Sequence, residues 1–125
     1  MDRKKPVILV VDDDPDIRAL LARELAKAGY GVVEAADAPS ARECIGAGVP
    51  DLVISDIRMP GVSGIDFVAS LREAPALSRI PVIYLTGLEE DTELAVKTVG
   101  YPLLSKPVKL PELLREVRAQ LKRRA

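Results

Sequence analysis

Four segments of this chain end in side chains that could together handle a phosphoryl group. The acids Asp12-Asp13-Asp14 follow the apolar run Val7 to Val11, Asp56 follows Leu52-Val53-Ile54-Ser55, Thr86 follows Val82-Ile83-Tyr84-Leu85, and Lys106 follows Leu103-Leu104-Ser105. Carboxylates suit a hard cation such as Mg²⁺, which takes oxygen ligands and keeps waters for a phosphate. An ammonium, a hydroxyl and the backbone amides around Arg58 and Gly87 are what phosphoryl oxygens need, because phosphoryl transfer is mostly positioning and charge stabilisation. One carboxylate remains free to attack. Each residue alone also has a plainer reading. Asp56 could be a turn or capping acid, the acidic run caps and solvated charge, Thr86 an ordinary strand residue, and Lys106 a solvated strand end. One acid suffices for a cap, however, and three in a row after a buried strand repel one another unless a cation holds them.

The residue inventory narrows the chemistry further. There is no histidine, which excludes Ser-His and Cys-His catalysis and imidazole metal ligation; the single cysteine, Cys44, cannot build a disulfide framework and reads as core filling. A length of 125 residues fits one domain, taken as residues 1–125, with a core that needs no staples. With 48% hydrophobic and 30% charged residues and a net charge of -1, the composition is that of a globular protein. It lacks the basic excess of a nucleic-acid binder, so no direct nucleic-acid contact is expected. The longest apolar run is far short of a membrane span, and Val7 to Val11 is too short for a signal-peptide core, so membrane insertion is not expected and the cytoplasm is the expected location.

The elements that must position these groups are legible in the hydrophobic pattern. Val7–Val11 and Val82–Leu85 are short continuous apolar runs, and Leu52-Val53-Ile54 is another that drives through Ser55 into Asp56; all are bounded by turn residues, the signature of strands buried on both faces. Tyr30–Ala35 is half-polar and suits an edge strand; Leu103–Ser105 makes a short fifth. Helices are expected from Pro15 to about Ala28, with Ile17, Leu20, Leu21, Leu25 and Ala28 facing inward and Gly29 as the stop. Others follow from Asp37-Ala38-Pro39 to an end at Gly46-Ala47-Gly48, from about Ile65 to about Glu73, from Glu89 to Val99, and from Pro111 to Lys122. Five β-then-α units require a parallel sheet covered on both faces, and right-handed crossovers make it a doubly wound α/β fold. In such sheets ligands bind outside the carboxyl ends of the strands, the edge to which every candidate residue is delivered.

Taken together, Val10-Val11-Asp12-Asp13-Asp14, Asp56-Ile57-Arg58-Met59-Pro60-Gly61-Val62-Ser63-Gly64, Leu85-Thr86-Gly87 and Ser105-Lys106-Pro107 resemble the receiver domain of bacterial two-component response regulators. The resemblance spans the whole chain and implies a flavodoxin-like (βα)5 fold with strand order 2-1-3-4-5. It implies that Asp56 accepts a phosphoryl group from a phosphohistidine on a histidine kinase or histidine phosphotransfer protein. Asp13, Asp56 and the backbone carbonyl of Arg58 would bind Mg²⁺, with Asp12 holding its water shell. Lys106 would pair with Asp56 and then with a phosphoryl oxygen, while Thr86 and the Gly87 amide would donate to the phosphoryl group. The result would be a signalling switch rather than an enzyme, acting on a downstream protein or a covalently linked output domain through a face that could also dimerise on phosphorylation.

Two departures from the family pattern stand out. The position three before the lysine, usually Tyr or Phe, is Leu103; Tyr101 lies five before, so it is not expected to toggle with Thr86. The variable positions two beyond Asp56 and two beyond Thr86 are Arg58 and Leu88, and Leu88 cannot orient or deprotonate a water, which implies slow self-dephosphorylation. Two rival readings remain: a receiver-like interaction module that works without phosphate, and a haloacid-dehalogenase-type phosphatase. Asp12 and Asp14 have the latter's Asp-x-Asp spacing, but the chain leaves no room for a cap.

Overall fold

The computed structural model describes residues 5–87, 98 and 100–123. Strands β1 (Val7–Val11), β2 (Gly31–Ala35), β3 (Leu52–Asp56), β4 (Val82–Thr86) and β5 (Leu103–Ser105) form one parallel sheet in the order β2-β1-β3-β4-β5. Helices α1 (Pro15–Lys27), α2 (Ala38–Ala47), α3 (Gly64–Glu73) and α4 (Leu110–Arg123) alternate with them. Of the helix expected over Glu89–Val99 only Thr98, in a turn, is among the described residues; Leu88 and the first four residues lie outside them. The chain runs from β1 out to the edge strand β2 and then crosses back to β3 on the other side of β1, a reversal that creates the switch point between β1 and β3.

Alternation along each strand splits the core in two. Ile8, Val10, Leu52, Ile54, Ile83 and Leu85 point to the face covered by α1 and α4, meeting Leu21, Leu25, Leu113 and Val117. Leu9, Val11, Val53, Val82 and Tyr84 point to the other face, meeting Ala41 and Ile45 of α2 and Phe67, Val68 and Leu71 of α3. Side chains of this size contribute about 1.5–3 kcal/mol each when fully buried. The apolar runs of β1, β3 and β4 are therefore continuous because both of their faces are covered.

Helix starts follow the capping residues. Asp14 Oδ1 accepts from the amides of Asp16 (2.9 Å) and Ile17 (3.3 Å), Asp37 from Ser40, and Ser63 Oγ from Asp66. Asp37, half-buried, has its carboxyl held below the usual range by the hydrogen bond it accepts from the Ser40 amide. Helix α1 stops where Gly29 takes a φ of 100°, a left-handed conformation that L side chains rarely adopt, and lets Tyr30 N reach Leu25 O at 3.2 Å. Two residues expected inside are not. Leu20 is 42% exposed and Ala28, the C-cap, is exposed, because α1 lies against the sheet along a stripe narrower than its apolar face.

Candidate functional site

Strand ends assemble the site. In register, Val11 sits beside Ser55 and Asp56 beside Leu85, so Asp12, one residue past the end of β1, comes level with Asp56 at the tip of β3. Thr86 pairs with Ser105, and Lys106 N donates to Thr86 O at 2.8 Å, which places the lysine immediately beyond the last rung. The sheet thus delivers the acids from its centre and the ammonium from its edge to one crevice.

Lys106 is the hub of that crevice. Its Nζ lies 2.9 Å from Asp56 Oδ2 and 3.0 Å from Asp12 Oδ2. Asp12 is 0% exposed, Asp56 5%, and the lysine side chain 17%. The contact with Asp12 is an ion pair, and Asp12 Oδ2, fully buried, has no other partner among the described residues. Asp12 Oδ1 accepts the Asp14 amide at 2.9 Å, and Asp56 Oδ1 accepts the Arg58 amide at 3.3 Å. Burial pushes the Asp56 carboxyl above its usual value. The bond from Lys106 opposes this, the Asp12 charge adds to it, and the Arg58 amide opposes it more weakly. Lys106 is itself held above its usual value by the two carboxylates, against the effect of its own burial.

Charge does not balance here. Three carboxylates face a single ammonium, and one oxygen from each of Asp12, Asp13 and Asp56 can be chosen so that all lie within 4.8 Å of one another. Asp13 is exposed, giving the cluster an open side. A buried carboxylate oxygen held only by an ammonium that it shares with Asp56, in an oxygen-only donor set with excess negative charge, fits a small divalent cation.

Of the residues singled out by sequence, Asp12, Asp13, Asp56 and Lys106 converge directly, and Arg58 contributes its amide. Thr86 and Gly87 stand at the end of β4 on the same edge, half-buried and exposed respectively. A Cβ at Gly87 would meet nothing within 4 Å among the described residues, so its backbone faces open space. Asp14 is a helix cap, the plainer of its two readings.

Two further residues shape the site. Arg18 Nη1 donates to the Asp12 carbonyl at 2.9 Å and its Nε to Glu34 at 3.3 Å, fastening the acidic loop to α1 and β2. Gly64, at the start of α3, donates its amide to Ile57 O at 2.8 Å; a Cβ there would stand 2.0 Å from Asp56 O. Sequence gave a hint of the second, since a glycine after the N-cap Ser63 is a poor helix former, but none of the Arg18–Glu34 pairing.

Tyr101 is remote from this edge. It precedes β5, its hydroxyl accepts from Arg72 Nε at 3.1 Å, and its ring meets Tyr84 edge-on at 5.2 Å between centroids. Leu103 pairs in register with Tyr84 and is 44% exposed. Desolvation pushes the Tyr84 phenol well above its usual pKa.

A doubly wound sheet with an acidic pocket and a lysine at its carboxyl edge defines a phosphoryl- or cation-handling α/β domain. Residues 8–118 match the response regulator receiver domain family, and the chain belongs to it. It is 39% identical over 112 residues to an uncharacterized 14.6 kDa protein of Leptolyngbya boryana, covering 88% of this chain and 86% of that one. It is 36% identical over 118 residues to the phosphate regulon transcriptional regulatory protein PhoB of Escherichia coli, covering 93% of this chain and 52% of PhoB. A putative response regulator from Chloroflexus aurantiacus superposes with a TM-score of 0.87 at 30% identity, over 95% of this chain and 99% of that one. The chain thus spans most of one curated relative and about half of the other. It is a signalling domain of the two-component type, and among the described residues no helix is long and apolar enough to cross a membrane.

Proposed function

We propose that Asp56 is the phosphoacceptor, taking a phosphoryl group from a phosphohistidine on a histidine kinase or histidine phosphotransfer protein. An Asp56 oxygen bonds to phosphorus as the phosphorus–nitrogen bond breaks and the imidazole leaves, giving an acyl phosphate. The observation that carries this reading is the bridging of Asp56 and Asp12 by Lys106 Nζ at 2.9 and 3.0 Å. On transfer the ammonium would exchange its bond to Asp56 for one to a phosphoryl oxygen, keeping Asp12 as its anchor. The Thr86 hydroxyl and the Gly87 amide would donate to the remaining oxygens.

Asp13, Asp56 and the Arg58 carbonyl would hold a magnesium ion, with Asp12 holding its water shell. When bound, the ion offsets the excess carboxylate charge and that of the incoming phosphoryl oxygens. All 125 residues are read as one receiver unit working in the cytoplasm. It would pass its signal to a downstream protein or a linked output domain, with self-phosphorylation from small donors and slow self-dephosphorylation as its only intrinsic chemistry.

The test is intact-mass spectrometry after incubation with Mg²⁺ and acetyl phosphate, with Asp56→Asn alongside. One added phosphoryl group, absent in the variant and without Mg²⁺, is expected. No gain in mass, together with no beryllofluoride-induced shift in the amide spectrum, would overturn the reading in favour of a module that signals without phosphate.

A further inference from the structure

The opposite edge of the sheet, where β4 and β5 begin, carries a cleft of about 240 Å³. Three guanidinium groups line it from three separate segments: Arg72 in the last turn of α3, Arg79 in the connection to β4, and Arg123 at the end of α4. Among the described residues lining it there is no carboxylate. Glu116, one turn before Gln120 on α4, accepts a bond from Gln120 Nε2 at 3.0 Å.

Arg72 is fixed in place before any ligand arrives. Its Nε donates to the Tyr101 hydroxyl at 3.1 Å, its Nη1 to Ser78 O at 3.0 Å, and its guanidinium carbon lies 5.6 Å from the Tyr101 ring centroid. A guanidinium carries five hydrogens, so three of its donors are not used by these bonds. Arg79 and Arg123 are exposed and make no ion pair with any described residue. The end of α4, whose carbonyls carry partial negative charge, accounts for one basic residue there, but not for cations from α3 and the β4 approach in the same cleft.

We propose that this cleft binds a small phosphate-bearing anion, gripped by the forks of Arg72, Arg79 and Arg123 against a wall formed by Tyr101 and Pro102. Guanidinium forks match phosphate oxygens two at a time, and a pre-positioned one loses little freedom on binding. The site is separate from the acidic pocket, which sits at the other end of the strands and repels anions in the absence of a cation.

Titration of the ¹⁵N-labelled chain with inorganic pyrophosphate and, separately, ADP, in EDTA at fixed ionic strength, tests this. Saturable shifts of the Gly100, Tyr101 and Gln120 amides by either ligand are expected. The apparent Kd should weaken at least tenfold in Arg79→Ala and in Arg123→Ala, with an unchanged Tm because both side chains are exposed. It should not change in Lys106→Ala. Shifts centred on Thr86, Gly87 and Lys106, shifts that do not saturate, or undiminished affinity in both arginine variants would each overturn the proposal. Phosphorylation of Asp56 in the arginine variants should match that of the wild type, which separates failure of this site from failure of the acceptor site.

Discussion

Substituting alanine for Gly64 places a methyl group 2.0 Å from the Asp56 carbonyl oxygen and 3.0 Å from Ser55 Oγ. Carbon and oxygen need more than 3 Å, so the start of α3 must retreat from the end of β3 by over an ångström. That breaks or stretches the 2.8 Å bond from Gly64 N to Ile57 O. Overpacking of this kind costs roughly 1–3 kcal/mol, and the backbone bond is worth about 1 kcal/mol net. Alanine's helical advantage over glycine returns at most about 1 kcal/mol. The clash wins, and a net destabilisation of about 2 kcal/mol is expected, a fall in Tm of about 8 °C for a domain of this size. Gly46, on the exposed side of α2 with nothing within 4 Å of its Cβ position, supplies the opposite sign. Gly46→Ala should stabilise by up to about 1 kcal/mol. Thermal and urea denaturation followed by far-ultraviolet circular dichroism measures both, and acetyl phosphate labelling should drop in Gly64→Ala because the displaced carbonyl belongs to Asp56. A Gly64→Ala protein as stable as the wild type would refute the reasoning.

Burial raises the Asp56 carboxyl above 3.8, so the folded state binds that proton more tightly than the unfolded one. The associated stability is present below 3.8 and is lost as pH rises through the folded value. Asp56→Asn should therefore raise the Tm of the metal-free protein at pH 7 and lose that advantage in acid; equal Tm values at pH 7 would contradict it. Mg²⁺ should raise the wild-type Tm progressively with concentration, as any ligand of the native state does. Asp13→Ala, at an exposed position of the acidic cluster, should abolish most of that rise as read by calorimetry. Tyr101→Phe removes the acceptor of the Arg72 Nε bond and should cost about 0.5–1.5 kcal/mol in urea denaturation. It should leave the rate of acetyl phosphate labelling unchanged, and a changed rate would make Tyr101 part of the switch.

Much of this protein is written in local sequence. Val7–Val11, Leu52–Ile54 and Val82–Leu85 are apolar without interruption because a strand covered on both faces offers no position to water. Asp14, Asp37 and Ser63 announce helix starts through bonds they make to amides two or three residues away. Alternation of such units leaves a doubly wound sheet as the outcome, and the carboxyl ends of its strands as the place for chemistry. Asp12, Asp56, Thr86 and Lys106 could be placed at one edge on that basis alone. The 2-1-3-4-5 order came from family resemblance, since periodicity does not encode which strands become neighbours.

Tertiary structure decided what depends on distance between segments far apart in the chain. Lys106 bridges two acids rather than one, and Asp12 rather than Asp13 is the fully buried member of the pair. Arg18 reaches across to Glu34 while holding the Asp12 carbonyl, and Gly64 is required by a carbonyl eight residues earlier. Leu20 is apolar at a helical spacing yet lies on the rim, because a period specifies a face and not how much of that face the sheet covers. Tyr101 sits on Arg72 and Tyr84 at the far edge, and Arg72, Arg79 and Arg123 meet in one cleft from positions 51 residues apart. Such pairings are set by how the helices pack on the sheet, a property of the whole chain that no local window of sequence contains.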